Sequence, residues 1–297
     1  MDSDNSEIGW KKNDPIDSNA VLHKVFEIID NCESKGMDTG FVELDAILAG
    51  GLQNGEVIVV AGRPSMGKTA FAMNIIEHVS VDDHQPCAVF SLETKATTLM
   101  ERILGSRAEI AFYKMRKGLL LSHEFAHLAN TIASLAKAQI WIDDSPGLTI
   151  NELCLRAKKL KKEHDIKLLV IDYIQLMVSP VPRDNREEEL ADISRNIKAL
   201  ARELDIPIVC LSQLNRASDG SNGLRPRICD LRGSGAIEED ADVVILLHRD
   251  DGYRSHEPRY EPDHLANVTL IKQRNGSTGE IVLAFYEQCM RFKNIGK

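Results

Sequence analysis

Gly62, Arg63, Pro64, Ser65, Met66, Gly67, Lys68 and Thr69 fit the spacing GxxxxGK[ST] at every defined position, between the apolar run EVIVVAG and a helical stretch. Glycines at the two ends let backbone N–H groups turn inward around phosphates, at a helix N-terminus whose dipole favours anions. Lys68 would neutralise the β- and γ-phosphates of a nucleoside triphosphate, and the Thr69 hydroxyl would ligate Mg²⁺. A chance glycine turn would not bring strand, motif and helix into register.

Three further residues close apolar runs. Asp172 follows LLVI, so its carboxylate falls at the carboxyl edge of a sheet, where ligands of open α/β sheets bind. It is a natural outer holder of the same Mg²⁺; alone, it would read equally as a turn cap. Glu93 closes CAVFSLE and can orient and deprotonate an attacking water. Phosphoryl transfer to a small molecule needs no such base, so Glu93 favours hydrolysis. Gln213 closes PIVCLSQ and can report the γ-phosphate to the loop that follows. Read in isolation, Glu93 and Gln213 are as well explained as solvated strand ends.

These positions depend on an alternation of β-rich runs and helical stretches. Strands are expected at 56–62, 87–93, 139–143, 167–173, 207–213 and 241–248, with helices to about Ser80, over 96–138, over 151–164 and over 186–204. The runs at 267–274 and 280–287, separated by NGSTG, predict a hairpin. Strand–helix alternation implies an α/β fold with a mostly parallel sheet flanked by helices and antiparallel strands added at the end. The division expected is a disordered tail at 1–18, a linker helix and linker at 19–40, and one domain over 41–297. Val21, Leu22, Val25, Phe26, Ile28 and Ile29 recur at helical spacing in that linker helix, which has no core of its own.

Composition narrows the class without naming it. The chain has 297 residues, 43% of them hydrophobic, enough for one large core. No apolar run approaches a membrane span and the N-terminus is too polar for a signal peptide, so a soluble cytoplasmic protein without membrane contact is expected. Six cysteines lie without a CxxC pair and read as reduced thiols rather than zinc ligands. A net charge of -9 argues against a surface basic everywhere, but leaves room for a narrow channel lined by a few arginines.

The ordered segments GRPSMGKT, SLE, IDYIQLM, SQLNR, DLRGSG, AIEEDADVV and KQRNG together resemble the C-terminal motor of DnaB-type replicative DNA helicases, from about Phe41 to the end. The resemblance implies a RecA-like P-loop NTPase fold with a twisted sheet, ATP and Mg²⁺ as ligands, single-stranded DNA as partner, and a homo-hexameric ring that moves 5′ to 3′. ATP would bind between subunits. Arg274 would be the arginine finger and Lys272 a second cation for a neighbour's γ-phosphate; residues two apart on a strand point the same way. On the residues alone, an ordinary basic strand edge explains that pair equally well. Arg102 matches the arginine that stacks on the base, with a solvated helix face as the alternative.

By the same resemblance, Arg232, Gly233, Ser234 and Gly235 would grip successive phosphates of single-stranded DNA, with Gly233 standing where many relatives carry Glu. Arg183 and Arg186 form a second candidate for the channel, against the alternative of a solvated loop. The linker helix would pack on the adjacent motor. Ahead of it stands a short tail where the family carries a helical domain, so primase or loader contacts are not carried over. The competing expectations are a RecA-like DNA-binding ATPase assembly and an accessory subunit, both without unwinding. Arg232→Ala is expected to weaken single-stranded DNA binding on every sequence alike and to flatten the slope of log affinity against log salt by about 0.7. Fluorescence titrations across salt concentrations measure both, and a sequence-selective loss would contradict phosphate gripping.

Overall fold

Residues 57–62 carry no charged side chain, and all are buried. They form β1 (Val57–Gly62), well inside a nine-stranded sheet. The computed structural model describes residues 17–30, 36–179, 185–214, 235–254 and 261–296. The other strands are β2 (Cys87–Ser91), β3 (Ile140–Asp143), β4 (Leu168–Asp172), β5 (Ile208–Gln213), β6 (Val243–His248), β7 (Leu265–Gln273), β8 (Gly279–Tyr286) and β9 (Arg291–Asn294). Their order across the sheet is β3-β2-β4-β5-β1-β6-β7-β8-β9. The strands from β3 to β6 in that order are parallel, and β7, β8 and β9 add antiparallel. The expected fold class is therefore the observed one.

Alternation along β1 serves both faces of the sheet. Ile58 and Val60 join the core formed with Phe71, Ile75 and Ile76 of α3 (Lys68–Glu77) and with Leu99 and Ile103 of α4 (Ala96–Ala108). Val57, Val59 and Ala61 join the opposite core, with Leu153 and Ala157 of α7 (Ile150–His164) and Ile193, Ile197 and Leu200 of α8 (Arg186–Leu204). Each of the larger side chains, alanines apart, contributes roughly 1.5–3 kcal/mol by leaving water. The helix ends follow local chemistry. Asn185 accepts from the Glu187 N–H, and three glutamates occupy the first turn of α8. Thr149 and Glu152 form a reciprocal cap on α7.

The helical stretch expected over 96–138 is three helices: α4, α5 (Phe112–Lys117) and α6 (Ser122–Leu135). It breaks at Glu109 (φ 53) and Gly118 (φ 65), both left-handed. A glutamate gives no sequence signal for that conformation, whereas the glycine does. The expected hairpin is β7–β8, and β9 follows it as a further strand. Phe292 of β9 packs edge-on to Phe71, and Phe71 stacks on Phe41.

The chain divides into two units, 1–35 and 36–297. In the first, α1 (Ser18–Asp30) exposes Val21, Leu22, Val25, Phe26 and Ile29. The second begins with Met37 bridged to Leu52. Among the described residues no helix is long and apolar enough to cross a membrane. Cys87, Cys210 and Cys289 are buried free thiols and Cys154 is half-buried; Cys32 and Cys229 lie outside the described residues.

Glu77 ties three elements together at the end of α3. Its side chain is 3% exposed and accepts from Arg107 of α4 at 3.3 Å and from Arg291 of β9 at 2.9 Å. Glu77→Ala removes the acceptor that Arg107 and Arg291 share, leaving Arg107 to Asp82 and Arg291 to the Ser106 carbonyl. It is expected to lower stability by about 1.5–3 kcal/mol, the worth of hydrogen bonds to a charged group, read as a shifted urea midpoint at unchanged slope; a loss below about 1 kcal/mol would assign Glu77 the modest worth of a surface pair.

Candidate nucleotide-binding site

β1 ends at Gly62 and α3 begins at Lys68, so the GxxxxGK[ST] segment is the turn between them. Ser65 (φ 64) and Gly67 (φ 96) take left-handed backbone there. A Cβ on Gly67 would lie 3.0 Å from Cζ of Phe292, so the aromatic floor beneath the loop leaves little room for a side chain there. Lys68 Nζ folds back to donate to the Arg63 carbonyl at 2.9 Å, closing the loop from inside. Thr69 Oγ1 donates to Asp172 Oδ2 at 2.9 Å, which joins α3 to the end of β4.

Burial shifts the two charged groups in opposite directions. It pushes Lys68 down to about 8, against the upward pull of Asp172 and Glu93. It pushes Asp172 up, a shift opposed by the Thr69 hydrogen bond. Both shifts describe a desolvated site awaiting charge of both signs. Among the described residues no group of three or more His, Cys, Asp or Glu side chains could hold a metal alone. A divalent ion at Thr69 and Asp172 would take phosphate oxygens and waters as its remaining ligands, as Mg²⁺ at phosphate sites does.

The sheet register gathers the other residues. Ser91 pairs with Asp172, and the Leu92 N–H donates to the Asp172 carbonyl at 2.7 Å, which holds Glu93 beside β4 although β2 stops at Ser91. Gly62 pairs with Gln213, whose backbone is also bonded by the Gln175 side chain. Pro64, Ser65, Gly67, Lys68, Thr69, Glu93, Arg102, Asp172 and Gln213 all line one cavity of about 800 Å³. Arg63 and Met66 complete the turn, Met66 being buried beneath it.

Among the lining residues that escaped the sequence reading are Tyr173, Arg249, Phe285 and Glu287. Arg249 is 3% exposed, with its guanidinium 4.0 Å from the centre of the Phe285 ring. Its carboxylate neighbours are distant, Asp251 at 3.6 Å and Glu287 at 3.9 Å. The signal was present, because Arg249 follows the apolar strand VVILLH just as Asp172 closes LLVI. Phe285 and Glu287 reach the cavity only through the β8 return.

Lys272 and Arg274 do not reach this cavity. β7 runs antiparallel to β6, with Gln273 opposite Val243 and Asn267 opposite His248. The two cations thus sit at the amino edge of the sheet, roughly 15–20 Å along β6 from the phosphate turn. They share one face: Arg274 Nη2 donates to the Glu239 carbonyl at 2.6 Å, and Lys272 Nζ donates to the carbonyls of Glu238 and Glu239. Burial, and then Arg274, pushes Lys272 down. Of the DNA candidates, Arg183, Arg232, Gly233 and Ser234 lie outside the described residues. Gly235 is exposed at the start of α9 (Gly235–Asp240). Arg186 pairs with Glu189 and donates to the carbonyls of Gln175 and Met177, so a phosphate there would compete with bonds that close the turn into α8.

A mostly parallel sheet, a phosphate turn after a buried strand and carboxylates at the same edge define the RecA-like P-loop NTPase class. Residues 36–294 match the family model described as the DnaB-like helicase C terminal domain, and the chain belongs to that family. It is 37% identical to "Replicative DNA helicase DnaC" of Bacillus subtilis over 97% of this chain and 64% of that protein. It is 43% identical to "Replicative DNA helicase DnaB" of Pasteurella multocida over 94% of this chain and 61% of that protein. The chain therefore spans under two thirds of the length of these relatives. Among solved structures it superimposes on "ATPase Domain of G40P" with a TM-score of 0.88 at 30% identity, covering 95% of this chain and 100% of that one.

The depressed Lys68 makes nucleoside triphosphate binding pH-dependent. With Lys68 near 8 before binding, phosphate charge raises it, so binding takes up a proton. Below pH 8 the lysine is already charged and affinity is level; above it, affinity is expected to fall by up to about tenfold per pH unit. Titrations with a fluorescent nucleotide from pH 7 to 10 measure this, and a flat profile through pH 9 would separate Lys68 from the phosphates.

Proposed function

We propose that this chain is the motor of a ring-shaped replicative DNA helicase that hydrolyses ATP with Mg²⁺, translocates on single-stranded DNA and parts duplex by strand exclusion. One observation carries the reading. The phosphate turn and the pair Lys272/Arg274 stand at opposite edges of one sheet, too far apart to meet within a chain. A complete site then needs a second copy whose amino edge faces the first copy's carboxyl edge. Repeated head to tail, that contact builds a ring when its rotation closes and a filament when it does not, and the family resemblance favours the ring.

Within such an interface the residues divide the work. The N–H groups of the 62–69 turn and Lys68 hold the triphosphate, and Thr69 with Asp172 hold Mg²⁺. The bound cation would supply charge neutralisation at the β- and γ-phosphates. Glu93, exposed at the cavity rim, orients the attacking water and accepts its proton. Arg102 packs on the base. From the neighbour, Arg274 and Lys272 stabilise charge developing on the γ-phosphoryl group, a contribution of about 10³- to 10⁵-fold in rate for such a finger. Gln213 lies beside Gly62 and comes before Arg232, Gly233 and Ser234 in the chain, and would report phosphate state to that segment. The exposed apolar face of α1 would dock on the adjacent motor.

Arg274→Ala is expected to bind ATP normally and to lose DNA-stimulated hydrolysis by about 10³-fold or more. Lys68→Ala is expected to be inactive through its own phosphate turn. Mixed rings of the two regain activity wherever the intact turn of one subunit meets the intact arginine of the other. Steady-state ATPase and strand displacement on a forked substrate read this out. No recovery on mixing would overturn action across an interface, and hydrolysis without strand displacement would point to a DNA-binding ATPase assembly.

A further inference from the structure

Asp242 is a buried and closely held carboxylate at the amino edge of the sheet. It immediately precedes β6 and is 4% exposed. A buried carboxylate needs donors, and Asp242 has them from three elements. Its Oδ2 accepts from the Val57 N–H at 2.8 Å and from Lys198 Nζ of α8 at 2.6 Å. Its Oδ1 faces Arg274 Nη1 at 3.4 Å, and its backbone carbonyl accepts the Arg274 N–H at 2.9 Å. Lys198, with a side chain 14% exposed, also donates to the Gly55 carbonyl at 2.9 Å. Next along the chain, Asn275 Nδ2 donates to Glu56 at 2.7 Å.

Arg274 is thus held at its backbone by the Asp242 carbonyl and at the two tips of its guanidinium fork by Asp242 and the Glu239 carbonyl. Its side chain still stays 41% exposed. We propose that Asp242, braced by Lys198, is a positioning residue that presets Arg274 for the neighbouring subunit's nucleotide. The inference rests on Arg274 acting across the interface.

The chemistry of the cluster supports this assignment. Asp242 is too buried to touch a ligand on another chain, so its effect must pass through a neighbour, and Arg274 is the neighbour with an open face. An untethered arginine spreads over many rotamers and pays that entropy at each turnover. Fixing both fork tips removes the freedom beforehand, and a displacement of about 1 Å at a reacting centre costs on the order of 10²-fold. Lys198 has the complementary task. It balances the buried negative charge from the side away from Arg274, so the guanidinium is oriented by the carboxylate without being neutralised by it.

The test is Asp242→Asn in the full chain, alone and combined with Arg274→Ala. The asparagine keeps shape and an acceptor oxygen but removes the charge. Ring mass, ATP affinity and single-stranded DNA affinity are expected to be retained, while DNA-stimulated kcat falls by about 10- to 100-fold. In the Arg274→Ala background, measured in single turnovers, adding Asp242→Asn is expected to change the rate by less than about twofold. An equal cost in both backgrounds would make Asp242 a support of the sheet and overturn the proposal. Should Asp242→Asn fail to fold, Lys198→Gln leaves Asp242 in place and is expected to show a smaller kcat loss that also vanishes without Arg274; a loss that persists there would overturn it. Undiminished hydrolysis by Arg274→Ala alone would instead overturn the reading beneath it.

Discussion

A strand that returns antiparallel delivers its two ends to opposite edges of the sheet, and the β6–β7 return imposes that separation here. The six parallel strands and β8 all end at the carboxyl edge, where Gly62, Asp172, Gln213 and Arg249 stand. The end of β7 is carried away from them to the amino edge, with Lys272 and Arg274. Nothing in the chemistry of lysine or arginine requires this. It follows from register and, under the proposed function, leaves the site of a single chain incomplete: anion cradle, cation holder and candidate base at one edge, further cations at the other. Under the proposed function the ring answers that incompleteness, since only a second copy can bring the two edges together.

The cradle itself is held from below by apolar packing. Phe41, Phe71, Phe292 and Phe285 form a continuous aromatic floor, with neighbouring centroids 4.5 to 5.6 Å apart. This floor draws on α3, β8, β9 and the segment before α2 (Val42–Ile47). The phosphate turn therefore rests in part on β9, far from it along the chain. Above the floor the polar groups are desolvated before any ligand arrives, as the opposed shifts of Lys68 and Asp172 show. A site held in this state is destabilising by itself, and the buried strands and helices around it offset the cost. In return the groups need little rearrangement when charge arrives, the condition under which electrostatic stabilisation is largest.

How much of this could be read from residues alone follows from the length scale of each signal. The phosphate turn and Asp172 were legible because each ends a run of buried residues, a pattern complete within a dozen positions. Within 96–138 the break at Gly118 carried a signal but the one at Glu109 did not, because a left-handed glutamate looks like any other helical glutamate in the sequence. β9 was missed for a related reason: RFKN is four residues long and buries only Phe292, too little to register as a strand. Glu93 was placed two residues beyond the true end of β2, yet a single bond from the Leu92 N–H to Asp172 keeps it at the site. Asp242 looked like the polar start of the strand in ADVVILLH, and no local pattern marks it as the meeting point of β1, α8 and the end of β7. The segment around Arg232 is the reverse case, legible as a motif and outside the described residues.

The same distinction bears on charge. The chain is acidic as a whole, at -9, and the reading requires it to offer positive charge to a triphosphate on another subunit. Totals do not decide this; acceptors do. Lys272 is held by backbone carbonyls, which orient a cation without cancelling it. Arg274 has one carbonyl and one carboxylate, and that carboxylate already serves Lys198 at 2.6 Å against 3.4 Å for the arginine. Asp242 is thus shared unequally, and the nearer cation takes more of its charge. Burial acts alongside, since a guanidinium only partly hydrated loses less water on meeting a phosphate than a free one would. An acidic chain can therefore carry a cation whose geometry is fixed and whose charge is largely unspent, provided the fixing is done by dipoles and by an anion already engaged elsewhere.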